Sequence, residues 1–313
     1  MLDTDKYILI VSLNTGIDRI IYLSNLELGK ISRATRVVEQ AGGKAVNVAR
    51  ALVALGKRVL VIGFVGSFTG QHIRQNLLDS KIPARLIPIS GSSRSCYILI
   101  DENKKQDTVI NEPGPEITST EFNQFYQELI TYLPKASMLI CSGSLPRGIN
   151  NNAYQQFVNL AHSYKILTLV DASGETLKLA LQAKPYLIKP NRDEAANLLN
   201  RTISDKKALM AAREIHQSGV AIGLVSLGDK GVAATWSNGE IFLTAPKLDA
   251  INCVGCGDAF LAGCASAIME NKNPQEIISW GVAAGSANAL VGGANINPLE
   301  VERLRKELMK NLY

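Results

Sequence analysis

A series of short apolar runs, each strand-sized and each stopped by glycine or a polar residue, constrains this chain more than any other feature. They cover residues 7–13, 58–65, 138–141, 166–170 and 222–226. Runs of this length without alternation belong to strands covered on both faces. Helical patterns lie between them. Val46, Ala49, Leu52, Val53 and Leu55 recur on one side of a helix that Gly56 ends, and further helices are expected over 69–80, 118–132, 154–161 and 205–217. Strand, helix, strand, helix in that order predicts an α/β architecture, with a mostly parallel central sheet between helices on both faces. At 313 residues, 46% of them hydrophobic, the chain has enough material for one large core of this kind.

Other segments interrupt the alternation. Residues 20–23 and 35–38 read as short strands with one dry face, separated by the turn-rich Glu27-Leu28-Gly29-Lys30. Residues 96–100 and 107–110 read as a hairpin across 101–105, and the four strands are expected to form a small second sheet. A strand at 186–188 leads into a helix ending near 198, and 232–236 pairs with 241–243 across Asn238-Gly239. Helices over 258–269, 274–290 and 298–309 follow.

Composition narrows the partners. The 33 Lys and Arg against 28 Asp and Glu give a net charge of +5, scattered without a long basic run, which sites for small phosphorylated ligands explain as well as nucleic acid would; over the chain as a whole no nucleic-acid partner is expected. The uncharged stretch 277–299 carries Asn288, Asn295 and Asn297 with few large aliphatic residues. It reads as a buried helix and a loop, and no membrane partner is expected. Asp3, Asp5 and Lys6 interrupt any secretory signal ahead of 7–13, and five cysteines then point to a reducing, cytoplasmic setting.

Polar or glycine-rich stretches follow the apolar runs at 14–18, 63–70, 142–146, 171–174, 189–194 and 226–231. In an open parallel sheet these share one rim, where ligands bind. A further stretch, Asn252-Cys253-Val254-Gly255-Cys256-Gly257-Asp258-Ala259-Phe260, turns directly into the apolar run 261–269. Two glycines one residue apart allow a tight turn with converging N–H groups, and Asp258 stands where the helix begins. A helix start holds an anion through unpaired amides and its dipole, which leaves Asp258 in reach of a migrating phosphoryl group as a base. Taken alone, Gly-x-Gly-Asp is more often an ordinary turn and cap; the rest of the chain changes that balance.

Ala41-Gly42-Gly43-Lys44-Ala45-Val46-Asn47-Val48-Ala49-Arg50 and Val254-Gly255-Cys256-Gly257-Asp258 resemble the N- and C-terminal signatures of the PfkB family of carbohydrate kinases, in the ribokinase-like superfamily. Ser142-Gly143-Ser144-Leu145-Pro146, Lys189-Pro190-Asn191-Arg192-Asp193-Glu194 and Val225-Ser226-Leu227-Gly228-Asp229-Lys230-Gly231 match between them. The resemblance therefore runs nearly end to end. It implies a single ribokinase-like three-layer α/β/α domain over 1–313, with strands of a small β-sheet lid inserted at about 17–40 and 94–112. Ile17-Asp18, the Gly-Gly-Lys form of the first motif and Asn111-Glu112-Pro113-Gly114-Pro115-Glu116-Ile117 further resemble the branch containing 1-phosphofructokinase and tagatose-6-phosphate kinase. That branch uses ATP and Mg²⁺ to phosphorylate an already phosphorylated ketohexose. Fructose 1-phosphate is the first candidate acceptor, followed by tagatose 6-phosphate and fructose 6-phosphate.

The resemblance also implies residue roles. Asp258 matches the catalytic base, and Gly255, Cys256 and Gly257 supply anion-hole amides. Asn191 and Glu194 match residues that organise Mg²⁺ through water, Lys189 is expected to neutralise phosphate, and Ser226, Gly228 and Gly231 match the nucleotide loop, with Asn288 near adenine. On the acceptor side Asp18 and Asn47 match ligands of the sugar hydroxyls, while Gly42 and Gly43 let the sugar approach the backbone. Lys44, Arg94 and Lys30 are the cations expected around the acceptor's phosphate.

Several positions depart from the family pattern. Asn14-Thr15-Gly16 lacks the usual proline, Ala45 stands where the branch usually has glycine, and Cys96 replaces an asparagine, which is expected to cost a polar contact to substrate. Cys253 and Cys256 form Cys-x-x-Cys without a second pair to complete a zinc site, and His72, His162 and His216 are scattered. A thiol near a helix N-terminus is expected to have a lowered pKa and to be open to oxidative inhibition. Two other functions stay open: a kinase of unphosphorylated sugars or nucleosides, and a non-catalytic sugar-phosphate sensor. Gly-Gly-Lys with Arg94 argues against the first, and Asp258 with Asn191 and Glu194 against the second. A lid sheet with one apolar face is expected to pair with its copy as a homodimer.

Overall fold

A computed structural model describes residues 6–291 and 295–310. In chain order it contains β1 (Tyr7–Ser12), β2 (Gly16–Leu23), β3 (Arg36–Gly42), α1 (Lys44–Ala54), β4 (Val59–Val65), α2 (Ser67–Asp79), β5 (Ala84–Pro88), β6 (Arg94–Asp101) and β7 (Gln106–Asn111). Then follow α3 (Ser119–Tyr132), β8 (Ala136–Ser142), α4 (Ala153–Ser163), β9 (Leu167–Asp171), α5 (Gly174–Gln182), β10 (Leu187–Ile188), α6 (Arg192–Leu198) and α7 (Ala208–Gln217). The remainder is β11 (Ile222–Ser226), β12 (Val232–Trp236), β13 (Gly239–Leu243), α8 (Cys256–Met269), α9 (Pro274–Ala289) and α10 (Pro298–Lys310).

The apolar runs assemble into a central sheet with strand order β13-β12-β11-β10-β9-β8-β1-β4-β5. Its neighbours are parallel except where β12 pairs with β11 and β13. Alternate side chains enter two separate cores, which is why these strands are apolar throughout. Ile8 and Ile10 pack with α1, α2, α8, α9 and α10, whereas Leu9 and Val11 pack with α3 to α7 on the opposite face. The strand order reverses between β1 and β8, which opens a crevice beyond their carboxyl ends. Asn14 Nδ2 spans that crevice to Ser144 Oγ, 3.1 Å away.

The second sheet has order β3-β2-β6-β7, with β2 and β6 parallel and the outer pairs antiparallel. Register places Asp18 beside Gln40 and Cys96, and Cys96 beside Asn111. On that same face Ile20, Tyr22, Ile98 and Ile100 form a small core against which Val254 packs, so the lid touches the glycine-rich loop ahead of α8. On the other face lie Ile21, Val37, Leu99, Tyr97 and Ile110; Val37 and Ile110 are 47% and 54% exposed.

Two elements differ from the sequence reading. β5 is an edge strand bounded by Pro83 and Pro88 with exposed residues at 84 and 85, which hides it from an apolar-run criterion. α5 begins on Gly174, the end of what reads as a rim loop. α9 accounts for the first part of the uncharged stretch 277–299, of which residues 292–294 lie outside the described residues. Among the described residues no helix is long and apolar enough to cross a membrane.

Candidate active site

A cavity of about 1060 Å³ lies between the carboxyl rim of the central sheet, the lid and the start of α8. α3, α6 and α9 each begin with a capping box, but α8 begins at Gly255 with no side-chain cap. Gly255 has φ 80°, a left-handed conformation that glycine adopts without strain. Cys256 N already donates to Cys253 O at 3.2 Å, so the expected anion-hole amide of Cys256 is engaged, and the Gly257 and Asp258 amides of the first turn are the ones left toward the cavity as a site for negative charge. From below, Lys189 Nζ lies where a Cβ on Gly257 would come within 3.3 Å of it.

Asp258, in the first turn of α8, is 6% exposed. Asn47 Nδ2 donates to its Oδ2 at 2.9 Å, linking α1 to α8. Burial, reinforced by neighbouring Asp171, pushes the Asp258 carboxyl up to about 7 against the opposing pull of the Asn47 hydrogen bond, Lys44 and Lys189. A carboxylate poised near neutrality and aimed into a cavity suits general-base work.

Asp171, which ends β9 and is fully buried, organises the cations around it. Lys44 Nζ lies 3.2 Å and Lys189 Nζ 3.3 Å from its carboxylate oxygens, and Glu194 Oε1 is 3.8 Å from Lys44. Partial burial works against the Lys44 charge, but Asp171, Glu194 and Asp258 outweigh it and raise its pKa. Lys44, expected beside the acceptor's phosphate, is therefore tied to the sheet rim. Asn191 caps α6, with its Oδ1 accepting from Glu194 N while Glu194 Oε2 accepts from Asn191 N, both at 2.9 Å. Ser226, Gly228 and Gly231 line the same end of the cavity.

The lid end collects the other expected residues. Gly43 and Asp18 line the cavity, and Arg94 Nε donates to Asn14 O at 3.0 Å, which fixes the guanidinium at the mouth. Burial pushes the Asp18 carboxyl up, opposed by Arg94, Arg50, the Cys96 thiol and the Gly43 amide. Cys96, where a polar contact to substrate was expected to be lost, is a hydrogen-bond partner of Asp18. Lys30 is exposed, pairs with Glu27 on the lid loop and does not line the cavity.

Asn288, expected near adenine, is fully buried in α9. Its Nδ2 donates to Val254 O at 2.8 Å and lies 3.5 Å from Cys256 Sγ, so it anchors the glycine-rich loop, while Gly285, Ser286 and Ala289 of the same helix line the cavity. The expected lowering of the Cys256 pKa is reversed: burial pushes its thiol up to about 11. Two residues were not singled out from sequence. Asp171 is a carboxylate closing a buried strand, and Arg50 is the one charge in the last turns of an otherwise apolar helix. In both cases the signal was polarity where the pattern required an apolar residue.

The pattern of the pfkB family carbohydrate kinases matches residues 5–301. A tagatose-6-phosphate kinase of Staphylococcus epidermidis is 34% identical over 289 residues, covering 90% of this chain and 92% of its own. Phosphofructokinase-2 of Escherichia coli, in complex with substrates and products, superposes with a TM-score of 0.91 at 28% identity over 97% of this chain and 99% of its own. The same enzyme in complex with fructose-6-phosphate gives 0.90 at 28% identity, over 98% and 100%. This chain belongs to the pfkB family of carbohydrate kinases.

Proposed function

We propose that the chain transfers the γ-phosphoryl group of ATP to a hydroxyl of a phosphorylated ketohexose. The observation that carries this reading is Asp258: buried, held by Asn47, raised to about 7 and set in the uncapped first turn of α8. In that position it accepts the acceptor hydroxyl's proton, while the α8 amides and Lys189 meet the charge on the moving phosphoryl group. Ser226, Gly228 and Gly231 suit the nucleotide, and Asp18 and Asn47 suit the sugar hydroxyls. Arg94, hydrogen-bonded to carbonyl oxygens and facing Asp18 at the mouth, suits the acceptor's phosphate.

Among the described residues no group of three or more His, Cys, Asp or Glu could hold a metal ion directly. Asn191 Oδ1 and Glu194 Oε2 are engaged in a helix cap and Glu194 Oε1 faces Lys44, so neither residue offers a free oxygen pair for direct ligation, and the donor set fits Mg²⁺ held through water. Bound there, Mg²⁺ supplies positive charge beside the phosphates of ATP. The names of the relatives bring the ketohexose 6-phosphates forward, ahead of the fructose 1-phosphate that stood first from sequence. The exposed outer face of the lid, with Val37 and Ile110, supports a homodimer, which Val37→Asp would convert to monomer in light scattering.

The test is ADP release with Mg-ATP across tagatose 6-phosphate, fructose 6-phosphate, fructose 1-phosphate, fructose, ribose and adenosine. Turnover confined to phosphorylated ketohexoses supports the reading. Turnover only with unphosphorylated acceptors removes Arg94 from the acceptor's phosphate, and silence throughout overturns the kinase reading.

A further inference from the structure

Arg50 is a buried cation that the mechanism above does not use. It lies in α1 with 8% of its surface exposed. Its Nη2 donates to Ala41 O at 2.6 Å and its Nη1 to Asn47 Oδ1 at 3.0 Å. Asn47 in turn donates to Asp258 Oδ2. The chemistry of the two neighbours dictates how the Asn47 amide points. Arginine can only donate and a carboxylate can only accept, so the amide satisfies both only with Oδ1 toward Arg50 and Nδ2 toward Asp258. The reverse orientation sets oxygen against carboxylate and N–H against guanidinium.

We propose that Arg50 is a positioning residue for phosphoryl transfer, which locks the Asn47 amide onto Asp258 and, as one buried cation facing both Asp258 and Asp18, holds the base in register with the acceptor's ligand. The inference rests on the kinase reading for its consequence, but the geometry is independent of it. Charge supports the arrangement. Burial lowers the Arg50 pKa, and Asp18 and Asp258 oppose that by favouring its charged form. The other ionisable groups facing Asp258 are Asp171 from β9, Lys44 from α1, Lys189 after β10 and the Cys256 thiol at the start of α8. None of these hydrogen-bonds Asn47, so none replaces Arg50 in orienting the amide.

The test compares R50M and R50K with the parent enzyme. R50M is expected to lower kcat about 100-fold while KM for ATP and sugar stays within about threefold, because what is lost is alignment of the base. R50K keeps a donor and a charge but cannot serve Ala41 and Asn47 together, and is expected to recover about tenfold of that loss. The acid limb of kcat moves up by about half a pH unit or more in R50M, since losing a cation and a hydrogen bond both disfavour the carboxylate. A folded R50M with kcat within about threefold of the parent, or a loss carried by KM, or R50K no better than R50M, overturns the proposal. Should R50M fail to fold, R50Q takes its place under the same criteria. Carbon-13 titration of the Asp258 carboxyl, assigned with D258N, needs no turnover. Its midpoint rises in R50M if the proposal holds and stays put if it does not, even were the parent inactive on every sugar.

Discussion

A Cβ placed on Gly42 would lie 2.0 Å from Cγ of Asp18 and 2.2 Å from each of its carboxylate oxygens. The end of β3 and the start of β2 pair so that the carboxylate rests directly on the glycine backbone, and no side chain can share that space. Gly42→Ala must therefore displace Asp18. The expected result is a rise of at least about tenfold in KM for the sugar phosphate, the cost of one charge-assisted hydrogen bond, with KM for ATP within about threefold. Steady-state kinetics checks it, and equal effects on both substrates would mean that Asp18 does not contact the acceptor.

Arg94 separates the phosphorylated from the unphosphorylated acceptors. Its guanidinium is fixed by Asn14 O and Glu112 O and favours the charged form of buried Asp18, so truncation removes the charge at the mouth and also lets the Asp18 carboxyl rise further. Arg94→Ala is expected to raise KM for a ketohexose phosphate by about 10- to 100-fold and to weaken any turnover of the unphosphorylated sugar much less, through Asp18 alone. A uniform loss on both acceptors would take Arg94 away from the phosphate.

The central sheet was legible because parallel strands buried on both faces cannot avoid continuous apolar runs, and the lid because β2 and β6 bury one face; the dry face expected over 35–38 is absent, since β3 is exposed over 36–39 and β7 throughout. β5 escaped because its prolines and exposed residues satisfy neither pattern, and α5 because its first residue is a glycine. In the site, Gly255, Gly257 and Asp258 were readable since a glycine turn into a helix is local chemistry. The network behind them was not. Arg50 acts through a backbone carbonyl at 41 and an amide at 47, and Asp171 draws together lysines from 44 and 189; neither relation has a sequence spacing to detect. Asn288 was recognised as a site residue, but only its burial beneath Val254 shows that it supports the loop.

The two cysteines beside the anion loop should react differently. Cys253 is exposed, whereas the Cys256 thiol is pushed up to about 11 by burial and lies 3.5 Å from the Asn288 amide. At pH 7.5 iodoacetamide is expected to label Cys253 alone, with Cys256 appearing in peptide mass spectrometry only after denaturation. Prompt labelling of Cys256 in the folded chain would show that the loop opens, and would restore the oxidation-sensitive site expected from a thiol near a helix N-terminus.

Asp258 links activity and stability with opposite signs. Its carboxyl rises from an ordinary 3.8 to about 7 on folding, and the base acts only when deprotonated. The profile of kcat/KM for the acceptor should therefore climb with pH and level off above about 7, with unit slope on the acid side. For stability, a raised folded pKa means a contribution fully present below about pH 4 and lost as pH rises through about 7. Asp258→Asn keeps an acceptor for Asn47 and carries no charge to desolvate. It is expected to reduce turnover by about 10²- to 10⁴-fold while making the fold more stable at pH 8, by about 4 kcal/mol at most. At pH 4 the two proteins should melt together, since both side chains are then neutral in the folded chain. Thermal melts at pH 4 and 8, read beside the turnover loss, decide the matter: an equal Tm at pH 8 would mean that the carboxylate is not buried as described, and near-normal turnover would remove Asp258 as the base.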